Sequence, residues 1–446
     1  MNIPKVKCEC AICRNSRNFD LPQDIIEAAK AGELVIFAGA GVSTESKNVF
    51  KFTLYEDIKS ALKIDAKEDV SFSELMSEYC KQPNGRQKLL RKIKERIDYV
   101  NGFPELYRGA TRFHSELATI HQITEIVTTN WDDLFEKECG AVPIVTPEDL
   151  VFWKNPERKV LKIHGSINNF GSIIATKEDY DNCYETLEKG VIGGTLKNLL
   201  ATKCVIFIGY SFGDEDFNEI HNSLIKEMKG LNPHAYIVTI DENAHDKFRD
   251  YDITPIITDA SYFIHNLKRH LISKGVMLED ENFKTVFRVM ENIKKEHMKL
   301  CSTVNVREQP EMIYTLSYQD GLIHSLERIL NMNKTGEYSD PEKLVKMIHS
   351  YHDILQEKEH ISNYYDASYV DGYINGLILL LSTDESESLP VYYVYGYDGD
   401  IVEFDEFVEV AKEAESIHPE AYNQALQFVK ENVGENDIAI HHIPFL

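Results

Sequence analysis

The segment Leu34-Val-Ile-Phe-Ala-Gly-Ala-Gly-Val-Ser43 constrains this chain more than any other. An unbroken apolar run, with no polar residue alternating through it, fits a strand buried on both faces, the kind found in parallel sheets. The run ends in Gly39 and Gly41, where the missing Cβ lets the backbone turn sharply and approach a pyrophosphate. The N–H groups that open the following helix then face the anion. This is the pattern of a nucleotide-binding strand and turn. Thr44 stands where the dinucleotide fingerprint has its third glycine. The acidic residue expected about 20 positions on, at the end of a second strand, falls among residues 52–63, which read as helix. An ordinary dehydrogenase is therefore disfavoured.

A chain of 446 residues, 43% of them hydrophobic, can bury a large core, and its length suggests two or three domains, with two as the working number. The formal net charge of −25 argues against attraction to nucleic acid or anionic membrane as a main activity. The one basic run, residues 86–96 (RQKLLRKIKER), has the helical spacing of a solvated face. No apolar run approaches 18 residues and no signal-like segment opens the chain, so a soluble, cytoplasmic protein is expected. Eight cysteines are too sparse for a disulfide scaffold. Cys8, Cys10 and Cys13 form a C-x-C-x2-C cluster that offers three zinc ligands without an evident fourth; the other reading is a thiol-bearing tail of residues 1–20.

Periodicity places a first helix at 21–30 and then, between the first strand and the next at 125–129, helices at 52–64, 71–82, 86–98 and 105–119. From residue 125 strand-like runs (142–145, 160–163, 172–175, 204–208, 235–240, 254–257) alternate with helical ones (131–139, 177–188, 194–202, 214–229, 244–250, 262–274). Such alternation implies a doubly wound parallel sheet that binds its ligand at the carboxyl ends of the strands. The expected architecture is thus an α/β domain over 21–275 with a helical insertion after its first strand. Past Gly275 the pattern changes to long helices (283–300, 310–332, 341–358, 366–381), an aromatic strand pair at 391–395 and 401–404, and helices at 405–414 and 419–432. Residues 283–446 read as a separate, mainly helical domain with a short β hairpin. Tyr318-Gln-Asp-Gly-Leu-Ile and Tyr369-Val-Asp-Gly-Tyr-Ile repeat one pattern, from a duplicated helical unit or by chance.

Four segments at expected strand ends together resemble the sirtuin family: Gly39-Ala-Gly-Val-Ser43, Thr128-Thr-Asn-Trp-Asp-Asp133, Ile163-His-Gly165, and Ile208-Gly-Tyr-Ser211 with Asp214. The resemblance covers about residues 20–275 and is closest to the bacterial sirtuin-like branch, which includes NAD-consuming effectors of antiphage defence. The deacylases of the family carry paired zinc-binding cysteines after the His-Gly segment. Here only Cys183 lies between Gly165 and Lys203, and Cys204 opens a strand, so that module cannot be built. After Ser43 the family's Gly-Ile-Pro segment is replaced by Glu45-Ser-Lys-Asn-Val-Phe50.

The resemblance implies that NAD is the substrate, that Asn130 orders the nicotinamide ribose and a water, that Asp132 supports it, and that His164 accepts a proton. It assigns dinucleotide contacts to Gly39, Ala40, Gly41, Ser43, Thr129, Gly209, Ser211 and Asp241. Each of these has a plainer reading: Asn130 as a turn residue, Asp132 as the cap of the following helix, Gly209 and Ser211 as a strand-to-helix turn. His114 and His121 read as packing or surface residues, and Cys139, Cys183 and Cys204 as small apolar ones. The implied activity is hydrolysis of NAD+ to nicotinamide and ADP-ribose without a metal, in a homo-oligomer triggered by a partner protein or small molecule through the C-terminal domain. Two alternatives stand beside it: protein deacylation or ADP-ribosyl transfer, and a nucleotide-binding regulator without catalysis.

Overall fold

The structure is a computed structural model that describes residues 17–43, 50, 52–65, 70–210, 228–229, 233–249, 251, 253–382, 389–434 and 437–445. The chain divides into two compact units, Met1–Lys274 with Lys334–Gly336, and Gly275–Asn333 with Glu337–Leu446.

The first unit is built on seven parallel strands: β1 (Leu34–Ala38), β2 (Glu125–Thr128), β3 (Val142–Ile144), β4 (Lys159–Lys162), β5 (Cys204–Ile208), β6 (Ala235–Thr239) and β7 (Ile253–Ile257). Their order across the sheet is β3-β4-β2-β1-β5-β6-β7, each neighbouring pair parallel. Central β1 is buried along its whole length, as its uninterrupted apolar run requires, and β4 is buried as well although it carries Lys159 and Lys162. Alternate residues (Val35 and Phe37, Val205 and Phe207) pack on one face against the helices Lys177–Lys189 and Val191–Thr202. Successive strands are added on one side of β1 up to β4 and on its other side from β5 onward, and such a switch point is where open α/β sheets bind ligands.

Between β1 and β2 lies the expected helical insertion: Leu54–Ala61, Phe72–Cys80, Gly85–Gly102, Pro104–Ala110 and Arg112–Ala118. Thr53 with Glu56 and Ser71 with Glu74 start the first two of these helices as reciprocal capping boxes. The single helix expected over 105–119 is broken at Thr111. The insertion buries Ile58, Leu75, Met76, Tyr79, Leu89 and Ile93 against Ile167, Ile173 and Ala175 from the segment after β4. That contact explains why residues 172–175 are not a strand. Arg86 takes the Ile173 carbonyl at 2.6 Å and pairs with Asp179 at 2.7 Å, and Ile174 N donates to the His164 carbonyl, so these backbone groups face the insertion and the turn. The basic run accordingly serves internal packing: Lys92 pairs with Asp57, Lys94 with Asp98, and Arg96 lies over the Phe50 ring.

The second unit is helical: Asp280–Thr303, Met312–Met332, Pro341–His360, Tyr364–Leu381, Phe404–Ala411, Ala414–Ile417 and Pro419–Asn432. The two repeated Tyr-x-Asp-Gly motifs cross one another. A Cβ on Gly321 would stand 2.0 Å from the Tyr369 carbonyl oxygen, and a Cβ on Gly372 would stand 2.0 Å from that of Tyr318. The expected hairpin closes by a single antiparallel bridge, Tyr392 with Ile401. Its other polar backbone groups are taken by a helix instead: Tyr318 Oη, Gln319 Nε2 and Thr315 Oγ1 donate to the carbonyls of Pro390, Val391 and Tyr393.

Candidate functional site

The glycines after β1 meet the glycine after β5. Gly39 N donates to Ile208 O and Gly41 N to Gly209 O, each at 2.9 Å. A Cβ on Gly39 would lie 2.5 Å from the Gly209 carbonyl oxygen, and one on Gly41 would lie 2.7 Å from Gly209 Cα. Gly209 itself has φ +63°, the left-handed region that glycine enters without steric cost. The close approach assigned in the sequence to a pyrophosphate is therefore made, in part, by protein backbone. The next described element is the 3₁₀ turn Ala40–Val42, in which Ala40 and Gly41 are exposed.

Asn130 and His164 follow β2 and β4. These strands pair Thr128 with Lys162, so Asn130 and His164 each stand two residues beyond one rung, at matching positions on adjacent strand ends. Asn130 is buried and its Nδ2 donates to Ser43 Oγ at 3.2 Å, which links the β2 end to the β1 turn. Its turn is set by Thr128, whose hydroxyl donates to Ala38 O and accepts from Asn130 N. Thr129 N also reaches Ala38 O, at 3.4 Å. His164 is buried, with its ring edge-on to Tyr180 at 5.1 Å. Asp132 Oδ1 accepts from Leu134 N at 3.2 Å in the turn before helix Leu134–Cys139, whose N-cap position is taken by Asp133 and not by Asp132. Asp241 lies past the end of β6, where its carboxylate accepts from Asn243 N. Ser211, Asp214, Cys8, Cys10 and Cys13 lie outside the described residues.

Lys162 and Glu136 also shape this end of the sheet and were not singled out in the sequence. Lys162 is buried in β4, donates to the Asp132 carbonyl and lies 3.2 Å from Glu136 Oε1. It ties the loop carrying Asn130 to the strand carrying His164. Burial pushes the Glu136 carboxyl up even with Lys162 beside it. A lysine inside a two-face-buried strand is a signal the sequence offers, since such a charge needs a partner. His114 is fully buried against Phe135, ring centroids 4.5 Å apart, and burial lowers its imidazole to about 4. That is a packing role. Cys139 and Cys183 are buried and donate to the carbonyls of His114 and Ile163.

A parallel sheet of this strand order, with helices between its strands, has the Rossmann-like α/β fold. Residues 124–256 match the family described as SIR2-like domain. The chain is similar to the NAD(+) hydrolase ThsA of Enterococcus faecium, 25% identical over 61% of this chain and 57% of that protein. It is likewise similar to the NAD(+) hydrolase ThsA of Cytobacillus dafuensis, 28% identical over 57% of this chain and 53% of that protein. Defense-associated sirtuin 2 of Bacillus subtilis is 26% identical over 46% of this chain and 21% of its own length. The chain thus spans about half the length of the ThsA relatives. Among solved structures, one described as "Structural Basis for the Mechanism and Regulation of Sir2 Enzymes" aligns over 56% of this chain and 98% of its own, at 15% identity and TM-score 0.28. So low a score adds nothing to the fold assignment, which rests on the sheet. No helix among the described residues is long and apolar enough to cross a membrane.

Proposed function

We propose that the first unit hydrolyses NAD+ to nicotinamide and ADP-ribose, and that it does so as a triggered cytoplasmic effector of antiphage defence that depletes NAD. The observation that carries this reading is the placement of Asn130 and His164 at matching ends of β2 and β4, with Asn130 bonded to Ser43 of the β1 turn. The names of the ThsA and defence-associated relatives support it. In this reading the bond between the ribose anomeric carbon and the nicotinamide nitrogen breaks, its electron pair neutralising the pyridinium ring. The ribose passes through an oxocarbenium-like state, by analogy with glycoside hydrolysis. Asn130 holds the ribose and the water that attacks, and His164 takes the proton that water releases. Asp132, two residues further on, supports Asn130 in this reading. The missing paired cysteines leave no zinc module to frame an acylated peptide, so water is the acceptor, and no step calls on a metal.

The test is nicotinamide release by the purified protein supplied with NAD+ and no acylated peptide. Asn130→Ala and His164→Ala are each expected to lower turnover by about 10²–10⁴-fold, with melting temperature nearly unchanged. Wild-type turnover in both variants would place the chemistry elsewhere. Tight NAD+ binding with no nicotinamide release under any condition would favour the non-catalytic regulator.

We further infer that residues 283–446 regulate this activity, by way of a partner, a small ligand or a second copy of the chain. The reading rests on allocation: the phosphate-facing, ribose-facing and basic groups are all found before Lys274. A chain ending near Asn282 is expected to bind NAD+ with altered control, either constitutively active or unresponsive. Equal basal rate, triggered rate and oligomeric state in the two chains would remove this assignment.

A further inference from the structure

The second unit holds a cluster of His297, Cys301 and His441 whose ligand-type atoms all lie within 4.8 Å of one another. His297 and Cys301 are four residues apart on helix Asp280–Thr303 and so share a face, and His441 approaches them from the chain's C-terminal segment. Cys301 Sγ lies 3.6 Å from His297 Nε2 and 4.0 Å from His441 Nε2. A tetrahedral zinc with ordinary Zn–S and Zn–N bonds separates its sulfur and nitrogen ligands by about 3.6 Å.

The surrounding hydrogen bonds aim both imidazoles at the same point. Gln319, fully buried, donates its amide nitrogen to the Val391 carbonyl, which can only accept. Its oxygen therefore faces His297 Nδ1 at 2.9 Å, and that nitrogen must carry the proton, which leaves the Nε2 lone pair turned toward Cys301. On the other side His441 Nδ1 lies 3.3 Å from Asp320 Oδ1, while Asp320 Oδ2 accepts from His442 N at 2.7 Å. The carboxylate fixes the imidazole so that Nε2 again faces the sulfur. A histidine whose other ring nitrogen is held by a carboxylate or carbonyl is the usual arrangement around a bound metal. Asp320 Oδ1 also stands 3.5 Å from His297 Nε2, on the edge of the same cluster.

We propose that His297 Nε2, Cys301 Sγ and His441 Nε2 bind one zinc ion, with Gln319 and Asp320 as the outer groups that orient the two histidines. One thiolate with two imidazoles is a borderline-soft set that suits zinc better than magnesium or calcium. Three protein ligands leave the fourth position to water. The ion would clamp the C-terminal segment, already held by Val306 N to Ile438 O at 3.1 Å, onto helices Asp280–Thr303 and Met312–Met332. The inference does not depend on the NAD+ reading, since every group lies in the second unit.

The test uses the full-length protein, stripped with a chelator and titrated with Zn2+ and, separately, with Co2+. Wild type is expected to take up one equivalent of Zn2+ and to give a thiolate-to-cobalt charge-transfer band with Co2+. Cys301→Ser should lose that band. His441→Ala, a change at an exposed side chain that the fold tolerates, should weaken Zn2+ binding by more than tenfold, and Gln319→Leu by about 10–100-fold. Zinc should slow proteolysis of the C-terminal segment in wild type and not in His441→Ala. A variant with Cys8, Cys10 and Cys13 changed to serine should keep the cobalt band. The proposal is overturned if wild type takes up no Zn2+, which would leave a metal-free thiolate and imidazole cluster. It is equally overturned if Cys301→Ser and His441→Ala bind Zn2+ and Co2+ as wild type does, or if removing the three N-terminal cysteines abolishes uptake.

Discussion

The switch point of the sheet and the helix crossing of the second unit rest on one device, glycine set against a backbone carbonyl, and use it to opposite ends. After β1 and β5 the approach of Gly39 and Gly41 to Gly209 lies in loops, where exposed Ala40 and Gly41 leave room for a ligand. In the second unit Gly321 and Gly372 lie inside long helices, buried, with Tyr318 and Tyr369 packed beside them in one apolar cluster. Close backbone approach in a loop frees polar groups to meet a ligand, because loop backbone has hydrogen-bonding capacity that regular structure has already used. The same approach in a helix pair excludes everything but packing. A glycine contact therefore points to function only where the backbone around it is irregular.

The largest effect that tests this contrast is on activity. Gly209→Ala adds a Cβ 2.6 Å from Val42 N at φ +63°, which must displace the β1 turn that carries Ser43. A displacement of about 1 Å at a catalytic constellation costs on the order of 10²-fold in rate, so turnover should fall at least that far while the second unit melts as before. If Gly209→Ala keeps wild-type turnover, the turn does not position the reacting groups and the contrast fails.

Next in size is a pure stability effect. Gly321→Ala and Gly372→Ala each place a methyl 2.0 Å from a helix carbonyl oxygen, where no side-chain rotation relieves it. Each should cost about 3 kcal/mol or more, read as a lower denaturation midpoint, and the double variant should cost less than the sum because the first change already separates the helices. Additive losses would mean that the two contacts are independent.

The smallest is a pH effect confined to the first unit. His114 is held neutral by burial, with its imidazole lowered from 6.5 to about 4. Below pH 6.5 the unfolded chain takes up a proton that the folded one refuses until near 4, so the contribution is complete above 6.5 and is lost as pH falls through that window. Between pH 7 and pH 5 the loss should be about 2 kcal/mol. His114→Leu should flatten this slope in unfolding measurements, and an unchanged slope would assign the acid sensitivity to other groups.

Much of this molecule was legible in its sequence for a definite reason. Central strands of a parallel sheet bury both faces and are mainly apolar, so β1, β2 and β5 announced themselves, and with them the strand ends that carry Gly39, Asn130 and Gly209. Long amphipathic runs likewise marked the helices of the second unit, whose spans differ from expectation by only a few residues. Residues 172–175 form no strand, and the aromatic pair at 391–404 is joined only by the bridge of Tyr392 with Ile401, for the converse reason. Both have strand-like side chains, but β structure needs a partner edge, and here Arg86 and the Thr315–Gln319 face of a helix claim the backbone carbonyls first.

Sequence by itself thus determined which residues are buried, which turns require glycine and which polar groups stand at strand ends, because these follow from local chemistry and short periods. Tertiary structure alone decided what those groups meet. That Gly209 fills the approach of Gly39, that Lys162 captures the loop of Asn130, and that His441 comes to His297 and Cys301 from 140 positions beyond Cys301 all depend on contacts between segments distant in sequence. No pattern along the chain encodes such meetings, since each is fixed only when the packing of every intervening element is complete.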